Sequence, residues 1–248
     1  MTGLQTVSCH HEGADLRGEM AAPAAGGRHP AVLVMHTALG LSDHMRHQAR
    51  LLAQRGYVAV ATDMYGGGFY LRNPEKEAGG TFSMLLENPA LLRARTVAWH
   101  AQVSQLPNVD PARIAAIGYC FGGRCVLELA RSGADVRAVV SYHGLLDTTA
   151  RAKRGEIRGL VSVYTGARDP YAPDKDVEAL RQEMTAAEAR LQLTVFSHAA
   201  HGFTDPDAAK AGRPGIEYDA LAERVSWAGT LAILQSELDM PAAAAQVP

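Results

Sequence analysis

Short, continuous apolar runs punctuate this chain at regular intervals. Ala31-Val-Leu-Val-Met35, Tyr57 to Ala61, Ile114 to Ile117, Val136 to Tyr142 and Leu160-Val-Ser-Val-Tyr164 are each about the length of a strand and mostly apolar, interrupted only by Arg137, Ser141 and Ser162. Such runs predict strands of a parallel sheet covered on both sides. Between them, apolar residues recur at helical spacing. Met45, Ala49 and Leu52 follow Ser42, a plausible N-cap, and stop at Gly56; Phe82 to Glu87 and Pro89 to Leu106 carry Leu92, Val97 and Val103. Val126 to Ala130, then Val177, Leu180 and Met184, and finally Glu217 to Leu238 complete the helical segments. Leu191, Leu193 and Val195 alternate with polar residues, as expected of a strand nearer the sheet edge. Thr6 to Cys9 and Leu16 to Met20 flank a polar turn, His10 to Asp15, and read as an opening hairpin. Pro107-Asn-Val-Asp-Pro111 is expected to break the helical segment Pro89 to Leu106 before the strand at Ile114. The glycine-rich polar stretch from Phe69 to Gly80 reads as a surface excursion and a candidate lid.

Strands alternating with helices after a hairpin imply an α/β fold: one domain over residues 1–240 with a mostly parallel central sheet, followed by a short alanine-rich tail, 241–248. Composition adds mainly exclusions. Of 248 residues, 47% are hydrophobic and 20% charged, which is ordinary for a folded soluble protein. A formal net charge of −2 gives no support for nucleic-acid or anionic-membrane binding. No apolar run approaches membrane-spanning length and the first residues lack a signal-peptide pattern, so a cytoplasmic location is expected. The three cysteines, Cys9, Cys120 and Cys125, form neither a disulfide framework nor a metal-ligand pattern. No His/Asp/Glu set has metal spacing, and Gly66-Gly-Gly68 lacks the lysine of a phosphate loop, so no metal or nucleotide cofactor is expected.

One stretch changes this bland picture. In Gly118-Tyr-Cys-Phe-Gly-Gly123, an apolar strand meets Gly-x-Cys-x-Gly and then a helix, the spacing of a nucleophile elbow. The glycines leave room for the sharp turn, and the helix N-terminus favours a thiolate and an adjacent oxyanion. Cys120 is therefore the candidate nucleophile, whereas Cys9 and Cys125 read as inert. Functional groups of parallel sheets cluster beyond the carboxyl ends of strands. There the chain carries His36-Thr37, Asp63, Cys120, His143, Asp169 and His201. A thiol needs a base, and the base needs a carboxylate to fix its tautomer. Cys120, Asp169 and His201 follow in the order nucleophile, acid, histidine. Asp63 and Asp147 compete with Asp169, and His198 competes with His201. Arg72, Arg93, Arg95 and Arg124 read as surface charges.

Gly118-Tyr-Cys-Phe-Gly-Gly123, Gly166-Ala-Arg-Asp169 and His201-Gly-Phe203 together resemble the dienelactone hydrolase family, with supporting matches at Leu39 to His44 and Gly56 to Gly66. The resemblance implies an α/β-hydrolase fold, metal-free hydrolysis of lactones or small esters, and a Cys120–Asp169–His201 triad. It also implies an oxyanion hole built from the backbone N–H groups of Phe121 and Ala38. Two positions depart from the family pattern: Thr37 stands where a glutamate governs the thiol, and Asp205 where an arginine holds the substrate carboxylate. Acyl chemistry survives both changes, but recognition of a carboxylate-bearing lactone does not.

The expected reaction is attack of Cys120 on a small-molecule ester or lactone, with Thr37, His36, Tyr142, His143 and Phe203 lining the substrate site. The competing reading is a non-hydrolytic acyl-binding or redox-responsive protein using Cys120 as a reactive thiol. The intact acid and histidine favour the enzyme, since a sensor thiol needs no group to orient its base.

Overall fold

The computed structural model describes residues 3–67 and 74–238. Its opening hairpin pairs β1 (Gln5–His11) with β2 (Ala14–Ala21) in antiparallel register. The turn narrows to Glu12-Gly13, both at positive φ, which matches the right-handed twist of the flanking strands. β2 then pairs antiparallel with β4 (Val58–Thr62), and from there every pairing is parallel. With β3 (His29–Met35), β5 (Val109–Tyr119), β6 (Ala138–Tyr142), β7 (Leu160–Gly166) and β8 (Leu191–Phe196), they form one eight-stranded sheet in the order β1-β2-β4-β3-β5-β6-β7-β8. β8 lies at the edge, as its alternation predicts.

Helices α1 (Asp43–Ala53) and α6 (Ala220–Leu238) cover one face. The other is covered by α2 (Pro74–Glu87), α3 (Pro89–Ser104), α4 (Phe121–Arg131) and α5 (Asp174–Ala186). This is a single α/β domain in which the central strands are apolar throughout because both faces are covered. From β3 the chain steps outward to β4, then returns to the opposite side of β3 as β5. That reversal opens a crevice beyond the carboxyl ends of β3 and β5, the strands that lead into His36-Thr37-Ala38 and Cys120.

Three expectations need correction. Helix α3 does end before Pro107, at Ser104, but the elbow strand starts earlier than Ile114: β5 begins at Val109 and absorbs Pro111 in an irregularity, with His29 opposite Val109 and Ala31 already opposite Ile114. The polar stretch at 69–80 is not all excursion, since α2 begins at Pro74, a residue suited to the first helical position. Residues 68–73, with Arg72 and the first part of the candidate lid, and the tail at 241–248 lie outside the described residues.

The third correction concerns the arginines. Arg95 is buried and donates to the carbonyls of Met64 and Tyr65, fixing the loop after β4. Arg124 pairs with Asp147 at 2.6 Å. Arg93 belongs to a buried network around α4. It donates twice to Glu128, whose other oxygen accepts from Arg131 and Thr148. Arg131 makes a two-pronged contact with Glu183 at 2.9 and 2.8 Å, and Glu183 also accepts the Ala152 N–H. The network ties the elbow helix to α3, α5 and the segment after β6. Each charge is compensated, so removing one partner strands another out of water. Glu183→Ala is expected to destabilise the protein by about 3–5 kcal/mol in urea unfolding; a change below about 1 kcal/mol would show that Arg131 is solvated in spite of its burial.

Candidate active site

β5 ends at Tyr119 and α4 begins at Phe121, leaving Cys120 alone to make the turn. It adopts φ 55° and ψ −114°, a conformation that costs a non-glycine residue about 1–3 kcal/mol. Close backbone approach explains its neighbours. A Cβ on Gly118 would stand 2.0 Å from the Gly122 carbonyl oxygen, and one on Gly122 would stand 2.1 Å from that of Met35. Gly122 thus allows the elbow to press against the end of β3 and bring the following loop to the sulfur.

Around Cys120 the sequence-expected residues converge. The backbone N–H groups of Ala38 and Phe121 and the imidazole of His201 are the groups around the sulfur that favour its charged form. His201 Nδ1 lies 2.9 Å from Asp169 Oδ2, and both side chains are buried. Burial alone would raise the Cys120 pKa, but the hydrogen bond and charge of His201 and the two N–H groups outweigh it, and the thiol is held below its ordinary value. Burial would lower that of His201; Asp169 and the Cys120 sulfur reverse this and push it up to about 10. Displacements in opposite directions favour the charged form of both groups. Cys125 and Cys9 are buried, with thiols raised by desolvation, which makes them poor nucleophiles.

The competing residues are engaged elsewhere. Asp63 accepts backbone N–H groups of Tyr65, Gly66 and Arg17, and Asp147 holds Arg124. His198 lies toward Asp219 at 3.3 Å, on the exposed side of its loop.

The tentative substrate-binding residues fare differently. His36 is completely buried: its Nε2 accepts the Met64 N–H at 3.0 Å, so Nδ1 carries the proton donated to the Thr37 carbonyl at 2.6 Å. It shapes the loop that presents Ala38, whose own carbonyl accepts the Tyr65 hydroxyl at 2.9 Å. Tyr142 gives its hydroxyl to Thr230 on α6 and stacks between Tyr119 and Tyr164. Phe203 is fully buried between Phe196 and His143. His143, at φ 37°, bonds Thr204 at 2.8 Å and sets its ring against His201. Burial and the neighbouring charge of His201 hold it well below the usual histidine range, hence neutral. The Thr37 hydroxyl accepts the Leu39 N–H, and Asp205 caps the turn at Asp207. Two exposed side chains adjoin Ala38 and His201: Leu39, next to Ala38 in the chain, is 51% exposed, and Tyr171, whose ring meets that of His201, is 39% exposed.

The dienelactone hydrolase family profile matches residues 16–238 of the chain. The chain belongs to the dienelactone hydrolase family. With that membership it is a hydrolase of the carboxylic ester and lactone class. A putative carboxymethylenebutenolidase of Synechocystis sp. is 28% identical over 244 residues, 94% of this chain and 96% of that protein. Among solved structures, the dienelactone hydrolase-like promiscuous phosphotriesterase P91 from metagenomic libraries is 33% identical, with a TM-score of 0.87 over 95% of this chain and 98% of that one. A putative dienelactone hydrolase of Klebsiella pneumoniae is 25% identical, with a TM-score of 0.75 over 94% and 98% of the two chains. This dienelactone hydrolase relative shares the α/β-hydrolase fold of that group. Among the described residues, no helix is long and apolar enough to cross a membrane.

Proposed function

We propose that this family member hydrolyses neutral carboxylic esters or lactones through a Cys120–His201–Asp169 triad and a thioester intermediate. One observation carries the reading: His201, held by Asp169 at 2.9 Å, acts on the Cys120 sulfur, so that the thiol's pKa is lowered and the imidazole's raised. In this reading the resting nucleophile is a thiolate and its partner an imidazolium acid. The sulfur adds to the acyl carbon, and the carbonyl electrons move onto oxygen, which accepts hydrogen bonds from Ala38 and Phe121. Collapse breaks the bond to the leaving oxygen, and the proton on His201 goes to that alkoxide, releasing the alcohol. The neutral imidazole next takes a proton from water, whose oxygen attacks the thioester. Expulsion of the thiolate gives the carboxylic acid and restores the ion pair. Asp169 holds the Nδ1–H tautomer and the imidazolium throughout.

Thr37 offers no carboxylate to take the thiol proton, so His201 alone holds it. Asp205 would repel a substrate carboxylate, which favours neutral acyl substrates. The test is a hydrolysis panel of p-nitrophenyl acetate, γ-butyrolactone and δ-valerolactone; inactivity on all of them would remove the proposal. The likeness to a promiscuous phosphotriesterase adds an aryl dialkyl phosphate to that panel, since the same thiolate and N–H pair suit a phosphoryl oxygen. Ionisation offers an independent check. Iodoacetamide should alkylate Cys120 well below the pH at which a free thiol titrates, about 8.5. An alkylation rate that rises only around that pH would mean there is no resting ion pair. Hydrolysis should fall again above about pH 10, as His201 loses the proton meant for the leaving group.

A further inference from the structure

We infer that Tyr171 forms the subsite for the leaving alcohol, and that it selects esters whose alcohol part carries an aromatic ring one carbon beyond the scissile oxygen. The inference rests on the triad reading above and extends it to the substrate. Asp169 uses its two oxygens for different purposes: Oδ2 accepts from His201 Nδ1 at 2.9 Å, and Oδ1 accepts the backbone N–H of Tyr171 at 2.8 Å. One buried carboxylate therefore sets both the proton donor and the residue beside it. The Tyr171 and His201 rings meet edge to face, with centroids 4.8 Å apart and planes at 60°. His143 occupies another side of the same imidazole, at 5.1 Å, and is buried. Tyr171 is 39% exposed, so its outer face is open to an incoming group.

The chemistry of the step fixes which part of the substrate arrives there. Whatever oxygen takes the proton must come within hydrogen-bond reach of His201, about 3 Å, and the carbon attached to it lies one bond further out. The acyl oxygen, in contrast, is directed to the N–H groups of Ala38 and Phe121. An alcohol fragment leaving from His201 is thereby brought against the exposed ring of Tyr171. Aromatic pairs prefer offset-stacked or edge-to-face contact, which a benzyl group could make there and an ethyl group could not. Leu39, on the Ala38 side, offers only an aliphatic surface.

Two isomeric esters separate this from a general apolar preference. Benzyl acetate places the ring on the alcohol side, and methyl phenylacetate places it on the acyl side, with closely matched leaving alcohols. Wild-type enzyme should show the higher kcat/KM for benzyl acetate. Tyr171→Ala should lower kcat/KM for benzyl acetate by roughly two- to tenfold more than for methyl phenylacetate, mostly through KM. Tyr171→Phe should retain the wild-type ratio, since the ring and not the hydroxyl makes the contact. Equal losses on both isomers, or losses confined to kcat, would mean that Tyr171 only supports Asp169 and His201, and would overturn the inference while leaving the triad intact. Wild-type inactivity on both esters, together with the p-nitrophenyl acetate panel, would instead remove the triad reading and the subsite with it.

Discussion

Replacing Cys120 by alanine is expected to lower kcat for ester hydrolysis by about 10⁴–10⁶-fold, leaving only what the two N–H donors and His201 can do with water. The effect is large because the thiolate is the group that forms the covalent bond, and nothing nearby can take over. Cys125 is buried with its thiol pKa raised well above the ordinary value, and the Thr37 hydroxyl is turned toward the Leu39 N–H. The fold should survive, since the substitution removes one half-buried atom at the elbow and leaves the glycine frame untouched. Circular dichroism and an unfolding midpoint close to wild type would establish that the loss is chemical. Substantial hydrolysis by a folded Cys120→Ala protein would locate the chemistry elsewhere.

Asp169→Asn should be the next most damaging change, by roughly 10²–10⁴-fold in kcat. The hydrogen bond from Asp169 is the leading influence that keeps the buried His201 protonated. An asparagine keeps one oxygen for the Tyr171 N–H, but it presents an amide N–H₂ to His201 Nδ1, which then has to accept. The imidazole is left in the tautomer unsuited to its role and loses the charge that steadies the thiolate. Two readouts should move together: turnover falls, and the onset of iodoacetamide alkylation shifts to higher pH. Unchanged alkylation with reduced turnover would confine Asp169 to orientation alone.

Much of this architecture was legible in the chain because the relevant signals are local. Fully apolar runs such as Ala31–Met35 and Ile114–Ile117 have one physical use in a chain that alternates strands with helices, and they became the central strands β3 and β5. The Gly118-x-Cys-x-Gly122 frame is equally local, as the clash distances at both glycines make plain. Long-range geometry was less accessible. The order of Cys120, Asp169 and His201 suggested convergence, but only the sheet order brings their strands together. Tyr142, Phe203 and His36 sit at strand ends or beside motifs, where a pocket role is a reasonable expectation. Whether such a side chain faces the crevice or a helix depends on the partner across the interface, here Thr230, Phe196 and Met64. The arginines were misread for the same reason. Arg131, which the sequence did not single out, is buried and Arg93 half-buried because Glu183 lies opposite the first and Glu128 opposite the second, each far off in sequence from that partner. Tyr171 had no signal at all, since its place follows from the second oxygen of Asp169.

The central claim, covalent catalysis by Cys120, is open to direct observation. Wild-type enzyme mixed with excess p-nitrophenyl acetate, quenched in acid within the first turnover and digested, should yield an acetyl group on the Cys120 peptide. That species should form with the burst of nitrophenol, disappear as substrate is exhausted, and be absent from Cys120→Ala. Turnover of the ester with an unmodified Cys120 peptide at every quench time, or acetyl on another residue with kinetics matching turnover, would contradict the account.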